Sequence, residues 1–258
     1  MRAQHIPFAL FGFLLISTIS GKAFSADRAE PSQSWSGYYA GLNIGAANND
    51  DAINSDFSYG AYHAPVAFRS TVRATPIGGA HVGYQKSLNQ WILGAEADIN
   101  LTNAKHHECR GAFELDKACP DQFYGSVTID DRTKQLGSIR LKAGHEVYGS
   151  LVYLTAGLAV VRSESLVSIL CPEGCGLSDA VPTSSATLYR QTLTAPTYGA
   201  GLDYKLGQHW VTGIQYQRFS LPRTHHAIDR TASYGPQRFA TSTQNSFDSV
   251  QVRLSYLF

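Results

Sequence analysis

The residues best equipped for chemistry are four cysteines, a few histidines and a set of charges spaced two apart. Cys109 and Cys119 form one local couple, Cys171 and Cys175 another. His106 and His107 lie just ahead of Cys109, and neutral imidazoles ligate metals and heme iron. A structural metal site, however, gathers two short Cys/His pairs at one point. Cys171 and Cys175 instead flank Pro-Glu-Gly, a tight turn that a disulfide can staple. Disulfides are the favoured reading. Four cysteines allow three pairings, and proximity favours Cys109–Cys119 with Cys171–Cys175. No cofactor and no metal site are expected, His106 and His107 being the weak candidates.

The charges pair differently. Glu96 with Asp98, Arg140 with Lys142, and Asp203 with Lys205 each stand two residues apart, and Arg253 stands in the last strand. In an extended chain such residues share a face. A face of mixed carboxylates and cations makes ion pairs rather than a nucleophile. His81 and His145 are the histidines inside expected strands, and no serine–histidine couple stands at a persuasive position. No catalytic residue is assigned and the chain is not expected to be an enzyme.

These residues must be held by strands, because no segment shows a long helical period. Eight stretches alternate apolar with small or polar side chains: residues 37–46, 75–86, 91–101, 134–145, 151–161, 194–205, 210–221 and 246–258. The third shows the pattern well. Trp91, Leu93, Ala95, Ala97, Ile99 and Leu101 face one way, and Gly94, Glu96, Asp98 and Asn100 the other. Links between stretches run about 28, 4, 30, 5, 30, 4 and 24 residues, an alternation that a membrane barrel shows and a soluble sandwich has no reason to show. Trp91 and Trp210 follow short turns, with Tyr84, Tyr204 and Tyr256 at a similar level, as an interfacial aromatic belt requires. The last stretch ends on Phe258 in mid-strand, with Val250, Val252, Leu254 and Tyr256 on the same face. Pairing with the first strand would remove that exposed edge.

The expected fold is all-β: a closed, antiparallel, eight-stranded transmembrane β-barrel with four long extracellular loops. The expected layout is a signal peptide over 1–25, a periplasmic segment over 26–35 and the barrel over 36–258. Arg2, the apolar stretch Phe8 to Ile19, and Ala23-Phe24-Ser25 carry the leader reading, and that apolar run is too short to span a membrane. Export favours disulfides. Charged residues are only 16% of the chain, against roughly 25% in ordinary domains. Removing Arg2 and Lys22 with the leader leaves 19 basic against 20 acidic residues, so nothing points to nucleic acid.

Several of these segments resemble the small outer-membrane β-barrel proteins of alphaproteobacteria, the "porin family" of outer-membrane β-barrel domains. Trp35-Ser36-Gly37-Tyr38-Tyr39-Ala40-Gly41-Leu42-Asn43-Ile44-Gly45 is similar to its opening strand. Gly78 to Gln85 and Trp91 to Ile99 resemble its second hairpin. Leu136 to Arg140 and Leu154 to Ala159 resemble its fourth and fifth strands. Tyr256-Leu257-Phe258 resembles the signal read by the barrel-assembly machinery, with Tyr256 and Phe258 its aromatic residues. The long loops and the cysteine couples depart from the pattern. The resemblance implies the cell outer membrane, with its lipid and lipopolysaccharide as surroundings. Family members are described as structural proteins, adhesins, surface antigens and hemin binders.

Inward parity predicts a lumen charge network of Glu96, Asp98, Arg140, Lys142, Asp203 and Arg253, which Lys205 can join. An eight-stranded barrel is just wide enough for side chains to fill, so the network is read as a plug rather than a solute channel. Function is then expected in the loops, as a structural or surface role. The alternatives are an adhesin or ligand binder, and a narrow channel. His225-His226 and a mild basic bias (Arg223, Arg230 and Arg238 against Asp229) mark the fourth loop.

Overall fold

A computed structural model describes residues 34–59, 62–111, 126–171, 183–232 and 235–258. The leader expected over 1–25 and most of the segment expected at 26–35 lie outside the described residues. The barrel unit is Ser34–Phe258.

Among the described residues nine strands follow in chain order. They are β1 (Gly37–Tyr59), β2 (Tyr62–Leu88), β3 (Trp91–Gly111), β4 (Ser126–Val147), β5 (Ser150–Cys171), β6 (Thr183–Lys205), β7 (Trp210–Ser220), β8 (Thr224–Ala232) and β9 (Gly235–Leu257). Each pairs antiparallel with its neighbours in the order β1 to β7, then β9, and β1 closes on β9. β7 pairs with the lower part of β9 and β8 with its upper part. β7 and β8 are thus one strand interrupted at Leu221-Pro222-Arg223, and the ring has eight staves.

Tight turns join the lower ends. β2–β3 and β4–β5 connect through two residues, and Asn89 and Tyr148 have φ near +59° and +50° there. Gly149 follows at +77°. Left-handed residues match the turn to the strand twist.

The long links differ from the expectation. Residues read as loops are mostly paired strand. β1 runs 23 residues, and its register with β2 continues to Tyr59 opposite Tyr62. About 9–11 tilted residues cross a membrane, so the rest of each strand forms a hairpin arm beyond it. Outside lipid neither face has to be apolar, so the period-two signal fades while backbone pairing continues.

The arms are not fully closed. β6 pairs with β7 only from Thr197 to Lys205. Among the described residues, the stretch from Thr183 to Pro196 is paired on its β5 side alone. Pro196 and Pro222 stand where this pairing ends, and neither can donate to a ladder.

Candidate functional site

Alternation sorts side chains into an outer apolar band and a filled interior. Leu42, Ile44, Val82, Leu93, Ile99, Ile139, Leu141, Leu154, Leu158, Ile214, Val252 and Leu254 are all exposed. A soluble protein would not leave so many large apolar side chains in water. At the lower rim, His209 stacks on Tyr256 at 5.2 Å, and Trp210 and Phe258 meet the same ring edge-on. The Phe258 amide donates to the Tyr38 carbonyl at 2.9 Å, tying the last residue to the first strand.

The interior holds the charges. Arg140 Nη2 reaches Glu96 Oε1 at 2.5 Å and Asp98 Oδ2 at 2.8 Å. Arg253 Nη2 pairs with Glu96 Oε2, which also accepts the Tyr39 hydroxyl at 2.8 Å. Arg253 Nη1 donates to Tyr153 Oη at 2.9 Å and to Gln215 Oε1 at 2.6 Å. Lys142 Nζ binds Asp203 Oδ2 at 2.7 Å and lies 4.0 Å from the centre of the Tyr153 ring. Asp98 accepts from Ser138 and, at 2.6 Å, from Asn100. These three acids and three bases balance, and buried ions persist only when so paired. Lys205 does not join them. It is the last residue of β6, and its Nζ donates to the Ser34 carbonyl at 2.8 Å while lying over the Trp35 ring.

Two clusters of buried apolar side chains flank this network. Trp35, Tyr39, Ile92, Leu151, Tyr153, Val211 and Leu257 form the lower cluster. Ile77, Leu136, Val161, Phe219 and Phe247 anchor the upper one. Neither cluster was anticipated. The signal was legible in the inward parity of Leu151, Tyr153, Ala159 and Val161 on one strand, polar only in its middle.

Sequence reading also missed an alignment of Ser255, His81 and Asn43. Ser255 Oγ lies 2.8 Å from His81 Nε2, and Asn43 Oδ1 lies 3.3 Å from Nδ1. The order is that of a nucleophile, base and orienting group. All three are buried between the two apolar clusters, and the Asn43 amide also donates to Asn100 and Gln251. The alignment therefore belongs to the lumen's hydrogen-bond packing.

In the arms, His107 lies on β3 rather than in a loop, with Nδ1 2.6 Å from Asp130 Oδ1. The His106 side chain lies outside the described ones. His225 and His226 lie on β8. Among the described residues no group of three His, Cys, Asp or Glu is placed to hold a metal. Cys109 is disulfide-bonded and accepts a contact from Thr128 Oγ1 at 3.5 Å. It sits near the end of β3, and Cys171 ends β5. Cys119 and Cys175 lie outside the described residues.

Comparison with known proteins agrees with this architecture. The family model described as "Outer membrane protein beta-barrel domain" matches residues 11–258. The structure is similar to OprG of Pseudomonas aeruginosa, at 9% identity and TM-score 0.47, over 89% of this chain and 100% of that one. It is similar to Ail, the attachment invasion locus protein of Yersinia pestis, at 13% identity and TM-score 0.33, over 84% and 99%. Neisserial surface protein A matches at 12% identity and TM-score 0.31, over 84% and 99%. No curated protein matches the chain.

Proposed function

The chain belongs to the outer membrane protein beta-barrel domain family, and from that premise we propose that it is a structural and surface-interaction protein whose hairpin arms meet its partners. It resides in the outer membrane, its strands set in lipid. The observation that carries the reading is the contrast between lumen and arms. The lumen is occupied by a balanced charge network between two apolar clusters. The arms extend well past a membrane's thickness, and among the described residues the upper part of β6 pairs in the sheet with β5. A rigid scaffold with long projections is the usual arrangement for surface recognition. The solute channel is disfavoured by the same filling. Catalysis is disfavoured because the Ser255–His81–Asn43 alignment is enclosed.

The test is arm truncation in cells displaying the protein. Shortening the β1–β2 hairpin to a turn after Ala47 should leave heat-modifiable gel mobility intact and reduce cell adhesion to immobilised extracellular-matrix glycans. Adhesion unchanged after all four arms are shortened would refute the interaction role. We also assign Tyr256 and Phe258 as the signal for the barrel-assembly machinery. The Phe258 side chain is 71% exposed at the lower rim, where a partner can read it. Deleting Phe258 should lower the outer-membrane yield several-fold. Unchanged yield would remove the assignment.

A further inference from the structure

One buried side chain of the lower cluster does not come from a strand. Residues 34–36 precede β1 and belong to no strand. Trp35 is nevertheless only 1% exposed, packed with Tyr39, Ile92, Leu151, Tyr153, Val211 and Leu257. Trp91 and Trp210, by contrast, stand half exposed on the outer face. The chain bends to bring Trp35 here. Gly37 has φ +149°, a conformation that residues with a side chain rarely adopt. A Cβ at that position would also meet the Phe258 carbonyl oxygen at 2.6 Å.

Three contacts place the segment. Ser36 Oγ accepts the Ser87 amide of β2 at 2.9 Å. The Ser34 carbonyl accepts Lys205 Nζ of β6 at 2.8 Å. The same ammonium lies 4.6 Å from the centre of the Trp35 ring. Ser87 and Lys205 both lie at the lower ends of their strands. In the closed ring β2 and β6 stand on opposite sides, with β3, β4 and β5 between them one way and β1, β9 and β7 the other. Residues 34–36 therefore cross the lower mouth, with Trp35 against Tyr39 and Tyr153 on the lower side of the charge network. Among the described residues the β1 registers begin at Gly37 with β2 and at Tyr39 with β9. Withdrawing residues 34–36 thus breaks no ladder pair, only side-chain contacts and apolar packing. The large side chains of the upper cluster, Phe219 and Phe247, sit on strands and have no such release.

We propose that residues 34–36 form a releasable strap over the periplasmic mouth of the barrel, with Trp35 as its stopper and Lys205 as its clasp. Short turns mark this end as the periplasmic one. Withdrawn, the strap admits periplasmic water to the lower lumen as far as Tyr39, Tyr153 and Lys142. Phe219 and Phe247 do not move with it, so release makes a vestibule and not a through path. Segments that open locally are those with few ladder bonds, and this one crosses the mouth with none. The inference rests on the closed ring and is independent of any partner for the arms.

The experiment uses the refolded protein in neutral detergent, with gel mobility before and after boiling certifying each variant's fold. Hydrogen exchange of the Trp35 indole N–H is read by NMR on the native chain, its signal identified by its loss in Trp35→Phe. It should exchange orders of magnitude faster than the backbone amides of Leu151 and Tyr153, which are paired on both sides and need the ladder to open. Lys205→Met removes the clasp and should speed the indole exchange about fivefold, the factor that one hydrogen bond contributes. Lys86→Gln, at an exposed lysine of the same rim, should leave the rate unchanged. Opening of the mouth is read separately, as the rate at which a small cationic methanethiosulfonate labels the thiol of a Val211→Cys variant, a buried position of the lower cluster. Lys205→Met should raise that rate by the same factor. The native protein alone can overturn the proposal, because indole exchange as slow as that of the Leu151 and Tyr153 amides would make Trp35 a fixed part of the wall. Equal acceleration by Lys86→Gln, or Val211→Cys labelling indifferent to Lys205→Met, overturns it as well.

Discussion

Glu96 is the residue on which the lumen turns. Both of its oxygens are taken by guanidinium groups, Arg140 on one and Arg253 on the other. Glu96→Gln leaves Arg253 without a carboxylate partner while Arg140 keeps Asp98, and breaking such a buried pair costs about 3–5 kcal/mol. The midpoint of urea unfolding, read by tryptophan fluorescence, should fall accordingly. A midpoint within error of the parent would mean the network is not the barrel's filling. Removing both members of a pair is milder. Lys142→Met/Asp203→Leu should cost less than Asp203→Leu alone, because no orphan charge remains. Glycine matters where the tyrosines of the network lie. A Cβ on Gly201 would sit 2.4 Å from Tyr153 Cζ, and one on Gly83 equally close to Tyr39 Cζ. Gly201→Ala should displace Tyr153 from Arg253 and destabilise by about 1–3 kcal/mol, seen as a lower heat-modification temperature. The six charges were legible because parity is a local property of one strand. Tyr39 and Tyr153 were not, since nothing in an isolated strand shows which glycine a ring will cover.

At the scale of elements, the arms follow from pairing rather than from pattern. Alternation predicts a strand only where the two faces meet different surroundings. The sequence over 48–74 shows no sustained alternation of apolar with polar residues, so it reads as loop although β1 and β2 pair as far as Tyr59 opposite Tyr62. The same limit hid the facing of upper β4. Parity counted from Ile139 puts Arg132 inside, and only the register shift between Thr133 and Gln135 reverses it. Proline has the clearest local voice here. Pro196 and Pro222 mark the end of β6–β7 pairing, and among the described residues the upper part of β6 pairs as a strand with β5 alone. Its open-edge amides should exchange hydrogen orders of magnitude faster than the alternate amides directed at β5. Mass spectrometry with peptide-level exchange over 186–195 should show two populations. A single slow population would mean that the edge is covered.

At the scale of the molecule, two facts legible early set the architecture. Long and short links alternate, and the chain's last described residue closes on β1 through the Tyr38 carbonyl. Together they specify an even, closed ring with its arms on one side. The apolar clusters above and below the charges needed the assembled ring, because each draws residues from most of the strands. They flank the charges inside a narrow lumen, and the proposed function then lies in the arms. Recording from planar lipid bilayers tests this most directly. The refolded barrel should insert without stable, solute-sized conductance steps at moderate voltage. Reproducible steps whose size or ion selectivity changes with Lys142→Met/Asp203→Leu would contradict the account, because current would then pass through the network that is held to fill the lumen.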